Sequence, residues 1–128
     1  MNLEKVNRKF VDLIIDYCVS NFGYSKHQSI FPRIILYNRP CLSEPQNCGY
    51  YDWNKNVICI FKPSHKNCLD VANTIVHEYV HYLQSEKKYY KLEKKHKYRD
   101  HPFEIEAYEI ANKHGVLAKR YAKKLLKK

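Results

Sequence analysis

No stretch of this 128-residue chain approaches the ~20 apolar residues of a membrane-spanning helix. Its first residues carry no apolar secretory core. The five cysteines, at 18, 41, 48, 59 and 68, form neither a Cys-x-x-Cys pair nor a zinc-finger spacing, which removes those redox and structural-metal classes. An odd count at irregular spacing predicts reduced thiols in the cytoplasm, with a Cys41–Cys48 bridge as the alternative. Acidic residues are also scarce: 13 Asp/Glu stand against 23 Lys/Arg, a net charge of +10. The deficit is local. Residues 1–86 hold 9 Lys/Arg and 8 Asp/Glu (+1), whereas residues 87–128 hold 14 and 5 (+9). A bias of that size fits solvated helix faces, or contact between the 87–128 region and nucleic acid or another anionic partner.

What is present is globular. Hydrophobic residues make up 45% and charged residues 28%, enough for one core in one domain spanning 1–128, with a basic C-terminal segment at 116–128. Leu3, Val6, Phe10, Leu13, Ile14, Tyr17 and Cys18 fall on one stripe, so 2–22 is expected to be a helix stopped at Gly23. Residues 33–37 read as a strand, 38–48 as a turn-rich loop, and 49–52 with 57–61 as a hairpin closed by Pro63. Ala72, Ile75, Val76, Tyr79, Val80 and Leu83 recur at helical spacing over 68–86, with Asn67 or Asp70 as the cap. Residues 87–100 are basic and tyrosine-rich and read first as an exposed loop. The same composition can track a nucleic-acid backbone and stack bases. A second helix is expected from Pro102, broken or kinked at Gly115, followed by a Lys-rich helix over 116–126. The fold class is therefore α+β, with a small, mostly antiparallel three-stranded sheet.

Inside the 68–86 helix, residues 77–81 read His77-Glu78-Tyr79-Val80-His81. Residues i and i+4 of a helix lie one above the other, so His77 and His81 can hold one metal ion. Glu78 sits one position round, within reach of a water at that metal without being a ligand itself. Two imidazoles, an open coordination position and an adjacent carboxylate base are the parts of zinc-dependent hydrolysis. With 7 histidines in 128 residues, such a match arises by chance in about 2% of chains of this composition. A catalytic zinc needs a third protein ligand, and His101, Glu104 and Glu106 all lie near enough. Helical angles alone do not separate the two glutamates.

His77–His81 followed by Glu104-Ile105-Glu106-Ala107-Tyr108 on a second helix resembles the gluzincin metallopeptidases, in particular minigluzincins and the catalytic core of ImmA/IrrE-type peptidases. The resemblance implies a zincin-like domain and one Zn2+ per chain held by His77, His81 and Glu104. It also implies Glu78 as general base and a peptide or protein substrate aligned along 57–61 as the sheet edge. Many gluzincins place an acid or amide four residues after the ligand glutamate, where this chain has Tyr108. An SprT-like reading would use His101 as the ligand instead. Tyr98, His101 and Tyr108 are the candidates to stabilise an oxyanion. The minigluzincin likeness further implies a C-terminal segment able to lie in the cleft and make the enzyme latent. The competing readings are a basic nucleic-acid- or protein-binding module on a peptidase-like scaffold, and a protease acting on DNA-associated proteins.

Overall fold

The computed structural model describes residues 2–42 and 48–127. Four helices and a three-stranded sheet make an α+β fold. The elements are α1 (Arg8–Phe22), β1 (Arg33–Tyr37), β2 (Gly49–Asp52), β3 (Val57–Phe61), α2 (Cys68–Leu83), α3 (Glu86–Glu93) and α4 (Pro102–Leu126). Part of the expected 38–48 loop lies outside the described residues. Cys41 and Cys48 are not bridged. No helix among the described residues is long and apolar enough to cross a membrane.

The first helix starts later than its apolar stripe suggests. Asn7 accepts the Phe10 amide at 3.0 Å and caps α1, leaving Leu3–Lys5 as a separate 3-10 turn. The helix stops at Gly23, whose φ of 75° suits a residue with no Cβ. Asn67 is the cap of α2, accepting the Asp70 amide at 3.0 Å, while the Asp70 carboxylate reaches back to the Lys66 amide at 3.0 Å.

The sheet order is β1-β3-β2, with β1 parallel and β2 antiparallel to β3. One of the two pairings is parallel, so the sheet is mixed rather than mostly antiparallel. β3 is the central strand, and all five of its residues are buried. The expectation that 57–61 forms the sheet edge is therefore wrong. A run of five buried β-formers (Val-Ile-Cys-Ile-Phe) is the signature of a strand flanked on both sides. The edge beside α2 is β2. Cys48 accepts the Phe61 amide at 2.9 Å. Alternation along an antiparallel ladder then turns the backbone groups of Gly49 and Tyr51 away from β3.

Helix α2 runs through the middle of the core. Val71, Ala72, Ile75, Val76 and Tyr79 are fully buried against α1, the sheet and α4. The two tyrosines near its C-terminal end hold the loop that follows α1. The Tyr79 hydroxyl donates to the Gly23 carbonyl at 2.6 Å, and the Tyr82 hydroxyl accepts the Ser25 amide at 3.1 Å. These bonds leave the histidine face of α2 turned toward β2 and α4.

Three expectations after residue 83 are corrected. The chain leaves α2 at Gln84, in an extended conformation, and Ser85 caps a new helix by accepting the Lys88 amide at 3.3 Å. Residues 86–93, read as loop, are thus α3. Only Tyr89 of α3 is buried, so the segment carries no apolar stripe to betray it. Gly115 does not interrupt α4, which is one helix of 25 residues. Its glycine is needed for close packing, because a Cβ there would fall 1.6 Å from Asn73 Oδ1 of α2 and 3.3 Å from the Asn73 backbone. Finally, α4 is helical to Leu126, which packs on the main core. At 1.5 Å per residue that end lies about 33 Å along the axis from Glu104, so residues 116–126 lie along the core and not in the cleft.

The helix crossing supplies a first prediction. Gly115→Ala should destabilise the protein by about 1–3 kcal/mol, seen as a lower urea midpoint at unchanged slope. Adding Asn73→Ala should recover most of the loss, since the colliding side chain is then gone. A Gly115→Ala variant with the wild-type midpoint would show that α2 and α4 are not in this contact.

Candidate metal centre

Three donor atoms meet where α2 faces the start of α4. His77 Nε2 is 3.1 Å from His81 Nε2, and Glu104 Oε1 is 3.1 Å from the first and 3.0 Å from the second. All three side chains are buried. The histidines come together by helical spacing alone. Glu104 arrives because the His101 imidazole caps α4, its Nδ1 accepting the Phe103 amide at 3.1 Å, and Pro102 occupies the first helical position. That places Glu104 in the first turn, aimed across at α2.

Of the three possible third ligands, the fold brings Glu104 to the histidines. His101 is buried but committed, its Nδ1 to the cap and its Nε2 donating to the Tyr89 carbonyl at 2.8 Å. Glu106 points the other way and accepts from Gln84 Nε2 at 2.9 Å.

Two residues that sequence reasoning did not single out hold these side chains in place. Gln84 donates its amide nitrogen to the Phe103 carbonyl at 3.0 Å and to Glu106, so its oxygen must be the atom facing His81 Nδ1 at 2.7 Å. That oxygen requires a proton on Nδ1, which leaves the lone pair of neutral His81 on Nε2, pointed at Glu104 Oε1. Two electron-rich atoms 3.0 Å apart are held together by a proton or a metal cation between them. Tyr89 is the second. Its hydroxyl donates to Glu104 Oε2 at 2.5 Å, leaving Oε1 for the histidines. The Tyr89 ring also stacks on His101 at 4.0 Å. A carboxylate or amide that orients a ligand is the usual support of a metal centre. The signal for Gln84 was its position three residues after His81. Tyr89 had none beyond its place in a tyrosine-rich stretch.

The two buried carboxylates are pushed in opposite directions. Burial raises the pKa of Glu78 above the usual carboxylate range, against the pull of His77 and His81. Burial also works to raise Glu104, but hydrogen bonds from His77, His81 and Tyr89 outweigh it and hold that group below the usual range. Burial likewise opposes the charged form of His81, yet the Glu104 hydrogen bond carries its pKa upward. Carboxylates separated in this way suit a permanent anion and a proton acceptor.

The donor set, two imidazole nitrogens and one carboxylate oxygen with a position left open, fits a catalytic zinc ion. Glu78 stands beside it, its donor atom within 4.8 Å of those of His77 and His81. The centre opens into a cleft of about 490 Å³ walled by Gly49, Tyr51, Trp53, Tyr98 and Tyr108. A second cleft shares His77, Glu78, Gly49, Tyr98 and Tyr108 and runs on past His65 and Asn73. Tyr108 lays its ring edge against His77, the centroids 4.4 Å apart. Tyr98 and Tyr108 are both half or more exposed, whereas His101 is sealed in the core. Comparison with known protein families, curated proteins and solved structures finds no match for this chain.

The support around Glu104 gives a second prediction. Tyr89→Phe keeps the ring and its stacking but removes the donor to Oε2. Metal affinity should fall about 10–100-fold, measured by competition with a zinc chelator. An unchanged affinity would mean that Tyr89 does not orient the ligand.

Proposed function

We propose that the protein is a zinc-dependent endopeptidase of the gluzincin type. The observation that carries this reading is the convergence of His77 Nε2, His81 Nε2 and Glu104 Oε1 within 3.1 Å of one another, beside Glu78. A zinc ion bound there would supply a Lewis acid that activates water and polarises a carbonyl. The chain's own residues supply the rest. Glu78 takes the proton of the attacking water and hands it to the departing amine nitrogen. Its raised pKa makes it a stronger base than an ordinary surface glutamate. Glu104 stays anionic and keeps the two imidazoles turned inward.

The substrate is an extended peptide lying along β2. The outward backbone groups of Gly49 and Tyr51 are placed for strand addition. The paired clefts leave room for substrate on both sides of His77 and Glu78, as cleavage within a chain requires. Tyr98 and Tyr108 are the tyrosines that wall both clefts, and one of them donates to the developing oxyanion. A tyrosine hydroxyl keeps its proton at neutral pH and can donate it to such an oxygen. The test is zinc content measured together with hydrolysis of unfolded protein and quenched-fluorescent peptides, for the wild type and a Glu78 variant.

A further inference from the structure

The stretch that links the two halves of the candidate centre carries charge that the fold does not use. Residues 87–99 contain Lys87, Lys88, Lys91, Lys94, Lys95, Lys97 and Arg99 against Glu93 alone. All seven cations are exposed, and among the described residues none is in an ion pair. Lys91 faces Lys87 one turn back and Lys88 three residues back, pairs that destabilise a helix. An eight-residue helix is marginal to begin with. Folding therefore works against this arrangement, and a partner that neutralises it would relieve the repulsion.

Aromatic rings interrupt the cations. Tyr90 is 49% and Tyr98 60% exposed. Tyr90 sets one edge against Trp53 and Tyr89 and leaves the rest of its ring in solvent. The basic end of α4 is built differently. Arg120, Lys124 and Lys127 are exposed there too, but Lys119 and Lys123 are half-buried, and Tyr121, 37% exposed, is the one aromatic ring among them.

We infer that residues 87–99 form a docking surface for single-stranded nucleic acid. Exposed cations track the phosphates while Tyr90 and Tyr98 offer faces on which bases stack, a combination that a duplex, an acidic protein or an anionic membrane does not need. Tyr98 also walls both clefts, so a bound strand lies at the mouth of the candidate centre. This inference stands independently of the peptidase reading, because its readout is binding.

The experiment is fluorescence anisotropy on the full, zinc-supplemented chain. The probes are 15-nucleotide DNA and RNA single strands, a DNA duplex of equal length, poly-glutamate and phosphatidylserine vesicles. With about five phosphates neutralised, affinity for a single strand should fall roughly a hundredfold between 50 and 200 mM salt. Substituting Lys87→Gln, Lys91→Gln and Lys94→Gln together should weaken binding at least tenfold and flatten the salt dependence. Tyr90→Ala with Tyr98→Ala should weaken it about thirtyfold or more with the salt dependence unchanged. Binding of DNA, RNA or both in this pattern supports the surface. The inference is overturned by no single-strand binding at 50 mM salt. Equal or tighter binding of the duplex, poly-glutamate or vesicles also overturns it. So does a loss seen only when Lys119, Lys123 and Lys124 become glutamine.

Discussion

Glu78→Gln is expected to lower peptide hydrolysis by about 10²–10⁴-fold, the usual contribution of a positioned general base, with zinc content and circular dichroism unchanged. Glutamine is nearly isosteric and fills the same buried space beside the histidines. What it cannot do is take a proton. The variant therefore separates proton transfer from metal binding and from packing. The opposite shifts of Glu78 and Glu104 sharpen the assignment, since only the former lies in an environment that favours accepting a proton. Wild-type turnover in the variant would remove Glu78 from the role. Wild-type protein that holds one zinc yet cleaves neither unfolded protein nor a peptide library would sink the hydrolase reading and leave the metal centre standing.

Loss of metal should be the next largest effect. Chelation of the wild type, or His77→Ala, His81→Ala or Glu104→Ala, should abolish stoichiometric zinc. At free zinc a thousandfold above the dissociation constant, binding contributes about 4 kcal/mol to stability, so the midpoint of thermal unfolding should drop on the order of 10 °C. Glu106→Ala and His101→Ala are the contrast. Glu106 touches Gln84 rather than the histidines, and His101 is a buried α4 cap whose loss, with the cavity it leaves, costs about 2–4 kcal/mol of stability. Both should retain one zinc per chain. Zinc lost from His101→Ala at native fold, and kept in Glu104→Ala, would transfer the third ligand to the histidine.

The sequence read well wherever spacing is local. The two histidines share a face because four residues make about one helical turn, and this holds whatever surrounds them. The caps at Asn67 and the stop at Gly23 are equally local. Helix α3 was missed for a physical reason. Its inward face is essentially Tyr89, so eight residues rich in lysine show no period, although Ser85 followed by good helix formers was a usable signal. Gly115 was misread because a glycine inside a helix looks like a break until the neighbouring helix is seen to need the space.

By itself, then, the sequence determined the α+β class, the amphipathic helix that runs through the core, and the pairing of His77 and His81 beside Glu78. All of these follow from side-chain periodicity along one segment. Tertiary structure alone decided which strand lies at the edge, since β1 reaches β3 by parallel pairing that skips β2 in the chain. It alone brought Glu104, rather than His101 or Glu106, against the two histidines. That placement depends on how closely α4 crosses α2 at Gly115 and Asn73, and on a cap that consumes both nitrogens of His101. It alone recruited Gln84 and Tyr89, whose hydrogen bonds reach the centre only after the chain turns back on itself between α2 and α4. Periodicity describes one helix at a time, whereas a third ligand and its supports are set by the distance between helices.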